Sequence, residues 1–166
     1  MSVSAPETIF GSVASLHLHP PKSGGPMQSA LFLEVAADDG IAGNTRYFGR
    51  RSSKTGKPSQ RQVTLIEREQ IAEHAAALGL ESIAPGAVRS NIETFGLRLA
   101  PLLGREIQIG TAVLYLAEAR TPCSKMDDIC PGLRELMGQD RQGVLAEVRK
   151  SGRIAPGDII SVRPPA

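Results

Sequence analysis

Residues 105–123 read REIQIGTAVLYLAEARTPC, and the fold can be worked out from this stretch. Apolar and polar residues alternate over Arg105–Ile109, and an apolar run covers Thr111–Glu118, which predicts two β-strands on either side of Gly110. Cys123 comes soon after the second strand. Because Pro122 cannot continue a central strand, the chain is expected to turn just before this cysteine.

Short strand patterns recur along the chain and predict a mainly β protein. The 17 Gly and 12 Pro residues supply many turns. Eight or nine short strands at this spacing favour a closed or nearly closed β-barrel over a parallel βαβ layout. The other predicted strands are Ile9–Leu18, Ala30–Ala36, Val63–Ile66, Asn91–Phe95, Leu97–Leu99, Val144–Val148 and Asp158–Val162.

Helices are few in this prediction. The segment Glu67–Leu78 is the one good helix, because it is rich in alanine, has acidic residues in its first turn and is followed by Gly79. Ser124 is placed to cap a short helix, and Pro131–Met137 is a second short candidate. We therefore expect one helix and one or two short helical insertions within the barrel.

Length and composition define the broad class of the protein. The 166 residues predict a single domain over 1–166, and 41% hydrophobic with 22% charged residues is ordinary for a globular protein. A net charge of +2 does not indicate nucleic-acid or membrane binding. The N-terminal residues lack the pattern of a signal peptide. Two cysteines do not form a disulfide framework, so we expect a reducing, cytoplasmic location.

Cys123 is the strongest candidate for a reactive side chain. A helix that starts at Ser124 would place its positive end beside the thiol, and Arg120 and Lys125 lie nearby in sequence, which favours the thiolate. A small buried hydrophobic residue is the alternative interpretation. A zinc site built from Cys123, Cys130, His17 and His19 is poorly supported, because the spacing matches no compact zinc motif. We expect Cys130 to be a packing residue and the two histidines to lie on the surface or in a loop.

Two further polar segments are candidates for ligand binding. Residues 46–61 contain six basic and no acidic side chains, together with glycine and hydroxyl residues, so the segment could bind an anion or be a solvated loop. Arg89 and Asn91 would share one side of an extended segment and could bind a polar ligand. An exposed sheet edge explains the same pattern.

Taken together in their order and spacing, these segments resemble the MOSC domain, the C-terminal module of molybdenum cofactor sulfurase, in its small stand-alone bacterial form. The resemblance is strongest over residues 40–162. The segments that carry it are GIAGN (40–44), RQVTLI (61–66), RSNIETFGL (89–97), LLGREIQIG (102–110), RTPC (120–123), RQGVLAEV (141–148) and GDIISV (157–162).

The resemblance implies a MOSC-type β-barrel and a molybdenum cofactor. It implies that Cys123 is the family's characteristic cysteine, either as a molybdenum ligand or as the carrier of a persulfide. By the same resemblance Arg89 and Asn91 contact the cofactor, and so do Arg61 and Gln62. Arg120 would stabilise the Cys123 thiolate and belongs to the same cofactor-binding set. Residues 43–46 depart from the family, which has an acidic residue and then a histidine there, and no role is assigned to them.

The function that the resemblance implies is reduction of N-hydroxylated compounds by a molybdenum-dependent oxidoreductase, with Cys123 as catalytic residue and metal ligand. A sulfur carrier with a persulfide on Cys123 is the first alternative, and a non-catalytic cofactor-binding module is the second. The chain has no pyridoxal-phosphate domain, so no pyridoxal phosphate is expected. The expected partners are a small-molecule substrate and a separate electron donor or sulfur donor protein, with no nucleic acid and no membrane.

Overall fold

The computed structural model describes residues 9–164, and β-strands dominate this part of the chain. In chain order the strands are β1 Phe10–Leu18, β2 Gln28–Ser29, β3 Leu33–Ala36, β4 Gly40–Ile41, β5 Val63–Glu67, β6 Ile92–Phe95, β7 Glu106–Ile109, β8 Ala112–Ala119, β9 Val144–Lys150, β10 Gly152–Ile154 and β11 Ile159–Val162. The helices are α1 Arg68–Ala77, α2 Lys125–Ile129 and α3 Leu133–Leu136. The prediction of a mainly β protein with one longer and two short helices is confirmed.

Seven strands close into a barrel in the order β1, β11, β7, β8, β9, β5, β6 and back to β1. The closing contacts are antiparallel on both sides of β1, with Gly11 opposite Ile160 and Leu16 opposite Ile92. Closure pairs every one of these seven strands on both edges, so the barrel has no open edge. β2 is attached outside the ring to β1, and β10, β3 and β4 form a separate small sheet.

The β7–β8 hairpin forms as the alternation in residues 105–118 predicts. Ile107 lies opposite Leu114, and Ile109 lies opposite Ala112. These four side chains are fully buried and belong to the aliphatic core cluster of the barrel. The inward-facing positions of the hairpin therefore supply part of the core, as the period of two requires.

One βαβ unit interrupts the antiparallel pattern. β5 and β6 are parallel, with Leu65 opposite Ile92, and α1 connects them. α1 packs against α2 and α3 through a second apolar cluster that contains Ile71, Met126 and Leu133. Gly79, whose φ is +71°, follows the helix, so the predicted stop residue is where the helix ends. β5 and β6 are the one parallel pair within residues 9–164, so a single crossover connection is needed, and α1, the longest helix, lies in it.

One predicted strand is wrong, and three short strands were not predicted. Leu97–Leu99 is not a strand; Leu97 and Leu99 are buried against the barrel core, and a 3-10 turn follows at Ala100–Leu102. The short strands β2, β4 and β10 have two or three residues each and are too short for any periodicity to show. Within residues 9–164, no helix is long and apolar enough to cross a membrane.

Candidate functional site

A cavity of about 190 Å³ lies where the segments after β1 and β8 meet the segments before β5 and β6. Five of the six residues that the resemblance selects for the site line this cavity: Arg61, Gln62, Asn91, Arg120 and Cys123. These residues lie up to 62 positions apart in the sequence, so the barrel brings them together. His19, Asn44 and Tyr47 line the same cavity and were not selected.

Cys123 is an exposed, free thiol at this cavity. It directly precedes Ser124, the residue before α2, and its carbonyl oxygen accepts a hydrogen bond from Met126 N at 3.0 Å. The predicted position of a short helix after Cys123 is therefore confirmed, although the Ser124 side chain makes no capping hydrogen bond. The interpretation of Cys123 as a small buried hydrophobic residue is wrong, because its side chain is accessible to a ligand.

Arg120 is half-buried and lines the cavity together with Cys123. Its Nη1 donates hydrogen bonds to Ser90 Oγ at 3.1 Å and to Val88 O at 3.4 Å. Burial lowers the pKa of this guanidinium to about 10, while the nearby ionisable groups of Cys123 and Tyr47 act in the opposite direction. A pKa near 10 leaves Arg120 positively charged at neutral pH.

Arg89 is the one predicted site residue that does not line the cavity, although its charge acts on Arg120 and on His19. Its φ is +66°, so the backbone is left-handed at this position and not extended. The expectation that Arg89 and Asn91 share one side of an extended segment is therefore wrong. Arg89 Nη1 donates to Gly25 O at 2.8 Å, which ties the loop after β1 to the segment before β6.

Asn91 is buried, and its side chain connects the segment before β6 to two strands. Its Oδ1 accepts hydrogen bonds from Thr64 N and Thr64 Oγ1, both at 3.0 Å, and its Nδ2 donates to His17 O at 3.1 Å. These bonds join the segment before β6 to β5 and to β1. The Asn91 side chain thus stabilises the wall of the cavity, and its contact with a cofactor stays a prediction.

Gln62 and Arg61 are neighbours in sequence and differ in their surroundings. Gln62 is buried, with Nε2 donating to Asp38 O at 2.9 Å and Oε1 accepting from Val148 N at 2.8 Å. Arg61 is exposed and also lines a larger cavity of about 970 Å³, beside Lys54, Lys57 and Arg149. The basic segment 46–61 thus extends from the smaller cavity to the larger one.

His19 is the residue that sequence reasoning missed. The expectation that it lies on the surface or in a loop is correct for the loop, because His19 directly follows β1, but its side chain is only 7% exposed. Asn44 Oδ1 accepts a hydrogen bond from His19 N at 2.8 Å, and the Tyr47 ring lies 4.6 Å from the imidazole, tilted by 46°. The alternation of His17 in β1 with His19 directly after it was the available signal, since an extended chain places both side chains on one side.

The charges around His19 are all positive. Burial is the largest cause that lowers the pKa of His19 to about 4, and Arg120, Arg89, Arg46 and Lys125 lower it further. Within residues 9–164, no acidic side chain lines the cavity. At neutral pH the imidazole is therefore uncharged among arginine side chains, and the cavity as a whole attracts anions.

His17 is also buried but belongs to a different network. Its Nε2 lies 2.8 Å from Ser15 Oγ and 3.7 Å from Glu93 Oε2. Glu93 accepts hydrogen bonds from Arg68 Nη1 and from Gly86 N, each at 2.7 Å. The network fixes β1 against β6 behind the cavity, and the expected surface position of His17 is wrong.

The remaining candidates do not form a zinc site. Cys130 is half-buried at the end of α2 and has no disulfide partner. Among residues 9–164 there is no group of three or more histidine, cysteine or acidic side chains placed to hold a metal ion. The cavity therefore offers one thiol and a set of cations, and a ligand that uses both is the best match.

Comparisons with known proteins agree with this fold. The YuaD protein from Bacillus subtilis superposes with a TM-score of 0.79 over 96% of this chain and 99% of that one, at 18% sequence identity. YiiM from Geobacillus stearothermophilus gives a TM-score of 0.72 over 93% and 75% of the two chains, at 20% identity. YiiM from Escherichia coli gives 0.67 over 95% and 71%, at 17% identity. No curated protein matched the sequence.

The sequence itself matches the model of one family, described as the MOSC domain, over residues 24–161. This range contains the six residues that the resemblance selects for the site and all of the barrel strands except β1 and the last residue of β11. The chain belongs to the MOSC domain family, which is associated with binding of the molybdenum cofactor.

Proposed function

We propose that this protein binds the molybdenum cofactor at the cavity beside Cys123, with the Cys123 thiolate as a molybdenum ligand, and that it reduces N-hydroxylated compounds. The observation that supports the proposal most directly is the exposed Cys123 thiol in a cavity lined by Arg61 and Arg120 and by no acidic side chain of residues 9–164. A thiolate is a soft ligand that suits such a metal. The arginines suit the negative charge of a phosphate-bearing pterin.

The residues of the cavity fit this cofactor. His19 Nδ1 is buried and has no hydrogen-bond partner within residues 9–164, so a water molecule or a ligand group in the cavity would satisfy it. The cavity of about 190 Å³ encloses only part of a large ligand, because pockets that bury a drug-sized molecule span roughly 300–1,000 Å³. The larger cavity shares Arg61 with it, and basic side chains for the rest of the cofactor (Lys54, Lys57 and Arg149) lie there beside the acidic Asp38, Glu118 and Glu147.

The protein groups have defined tasks in the proposed reaction. Reduction of an N-hydroxylated compound to the amine and water consumes two electrons and two protons. The cofactor, when bound, would supply the redox chemistry of this reduction. Cys123 would hold its metal, Arg120 would keep positive charge beside the thiolate, and Arg61 would bind the negatively charged part of the cofactor. The electrons come from a separate donor protein.

The experiment that tests the proposal compares molybdenum and pterin contents. Wild type, Cys123→Ser and Cys130→Ser are produced in a host that makes the cofactor and purified without oxygen. We expect cofactor in wild type and in Cys130→Ser and none in Cys123→Ser, with the fold intact in all three. Cofactor retained by Cys123→Ser, or absent from wild type, would contradict the proposal. Turnover of an N-hydroxylated substrate with a chemical electron donor then separates an enzyme from a binding module.

The exposure of Cys123 supports a second candidate function. An accessible thiolate can accept a sulfane sulfur from a donor protein and pass it on, which is the chemistry of a sulfur carrier. In that case the protein purifies without molybdenum, and the intact mass of wild type shows one additional sulfur that Cys123→Ser lacks. The same purified samples therefore decide between the two functions.

A further inference from the structure

His19 is a buried side chain of the cavity with a ring nitrogen that no group of the described residues binds. Its Nδ1 is buried and has no hydrogen-bond partner within residues 9–164. Leaving a buried donor or acceptor unsatisfied costs about 1–3 kcal/mol, so such atoms are rare unless something else binds them. Three other buried atoms of residues 9–164 also lack a partner, but His19 alone among these four residues lines the cavity, where a water molecule or a bound ligand can provide one.

The position of the His19 ring is fixed before any ligand arrives. The backbone nitrogen is held by Asn44 Oδ1 at 2.8 Å, and the ring rests against Tyr47 at 4.6 Å between centroids. Both contacting residues also line the cavity. The backbone is thus anchored by Asn44 and one face of the ring is packed against Tyr47, which limits where the ring can lie, as in a preorganised ligand contact.

The surroundings of His19 define the charge of that ligand. Arg120 and Arg61 line the cavity, and arginine offers hydrogen-bond donors but no acceptor. The charges of Arg89, Arg46 and Lys125 act on the same imidazole. Such an environment selects a group that carries negative charge and acceptor oxygens. With its pKa near 4, His19 is neutral at pH 7, so one ring nitrogen carries a proton that it can donate.

We propose that His19 is a ligand-binding residue of this site, where its Nδ1 donates a hydrogen bond to an anionic oxygen held beside Cys123 by Arg120. The enclosed volume of about 190 Å³ accepts a small oxyanion or the anionic part of a larger molecule. The inference rests on the proposed function, in which that oxygen belongs to the bound cofactor. A free oxyanion presents the same chemistry, and the test separates the two sources.

Three variants isolate the Nδ1 hydrogen bond. His19→Phe keeps a ring against Tyr47 and removes both nitrogens. His19→Asn places an amide nitrogen close to the position of Nδ1 and restores a donor there. His74→Phe is the matched control, because His74 is equally buried but lies outside the cavity, with Nε2 2.9 Å from Arg141 O.

The first arm of the test uses sulfate and cofactor-free protein. Wild type and the variants are titrated with sulfate by calorimetry, and the His19 ring nitrogen signal of wild type is followed by NMR. We expect roughly tenfold weaker binding for His19→Phe, which is the loss of one hydrogen bond to a charged group, partial recovery for His19→Asn and no change for His74→Phe. The NMR signal should shift on addition of sulfate to wild type, and this readout does not depend on the folding of any variant.

The second arm measures molybdenum and pterin in the same proteins from a cofactor-producing host. Sulfate binding that depends on His19, together with no cofactor in wild type, supports the inference and contradicts the proposed function. Equal cofactor content in wild type and a folded His19→Phe, with unchanged sulfate binding, overturns the inference and leaves the proposed function standing. Wild type that binds neither probe, or that binds sulfate with no change in the His19 signal, also overturns it.

Discussion

Asn91 and Thr64 bind each other through reciprocal hydrogen bonds at the wall of the cavity. Asn91 Oδ1 accepts from both Thr64 N and Thr64 Oγ1 at 3.0 Å, and Thr64 Oγ1 accepts from Asn91 N at 2.9 Å. The amide that the family resemblance assigns to the cofactor thus holds the start of β6 to β5. The Asn91 side chain therefore has a structural role in addition to the ligand-binding role that the resemblance assigns to it, and comparison with a variant of an exposed cavity residue tells the two roles apart.

Asn91→Ala should cost more in stability than Arg61→Ala, whereas Arg61→Ala should mainly affect ligand binding. Removal of the Asn91 amide leaves Thr64 N and His17 O buried without partners, which costs roughly 2–3 kcal/mol. Arg61 is exposed, so its loss should leave the free energy of unfolding within about 0.5 kcal/mol of wild type. Urea unfolding and cofactor content measured on both variants check this. Equal destabilisation would show that the Asn91 hydrogen bonds contribute little.

Glu93→Gln should destabilise the protein far more than Glu34→Gln. Both glutamates pair with an arginine at short distance, Glu93 with Arg68 at 2.7 Å and Glu34 with Arg153 at 2.6 Å, but Glu93 is fully buried and Glu34 is 47% exposed. Removal of one charge from a buried pair costs about 3–5 kcal/mol, whereas an exposed pair contributes less than about 1 kcal/mol. Chemical unfolding of the two variants measures the difference, and similar values would mean that water screens both pairs alike.

Gly143→Ala should be much more damaging than Gly157→Ala. Both glycines have left-handed backbones, with φ of +83° and +86°. A Cβ at residue 143 would overlap Leu65 O and crowd Ile66 Cα, whereas a Cβ at residue 157 meets nothing within 4 Å. We expect about 1–2 kcal/mol for Gly157→Ala from strain alone and more than about 3 kcal/mol for Gly143→Ala.

The structural effect of Gly143→Ala should extend to the candidate site. Arg120 N donates to Gly143 O at 2.9 Å, so a backbone shift at Gly143 moves the segment that carries Arg120 and Cys123. Thermal unfolding and the reaction rate of Cys123 with a thiol reagent measure the two effects. A Gly143→Ala variant as stable and as reactive as Gly157→Ala would rule out the predicted overlap.

The free energy of unfolding should fall as the pH is lowered below about 6.5. His17, His19 and His74 all have pKa values lowered chiefly by burial, to about 4 for His19. Below the unfolded value of 6.5 the unfolded chain binds protons that the folded chain does not, so protonation favours unfolding, with a slope of up to about 1.4 kcal/mol per pH unit for each histidine.

Unfolding free energies of wild type and His19→Phe between pH 7.5 and about 5 check this prediction. The slope should be smaller for His19→Phe, because one of the groups that take up a proton on unfolding is gone. Burial raises the pKa of Glu67, which therefore acts in the opposite direction above 4.5, but it is common to both proteins and cancels in the difference. Parallel curves for the two proteins would show that His19 does not titrate differently in the folded state.

Much of the fold is determined by local sequence. The alternation over residues 105–118 has the two-residue period of a strand and produces the β7–β8 hairpin. The alanine-rich segment favours a helix and Gly79 ends it, which produces α1. The two-residue strands β2 and β4 could not be predicted in this way. They form only because the tertiary structure brings a partner strand beside them.

The same distinction between local sequence and tertiary structure applies to the candidate site. The sequence by itself determined the family, the residue types and the candidate Cys123, because these depend on the order and spacing of short segments. Only the tertiary structure decided that Arg61, Arg120 and Cys123 share one cavity, that the Asn91 side chain is engaged by β1 and β5, and that His19 is buried there with an unsatisfied nitrogen. Burial and hydrogen-bond partners come from segments distant in sequence, and closure of the barrel is what brings those segments together.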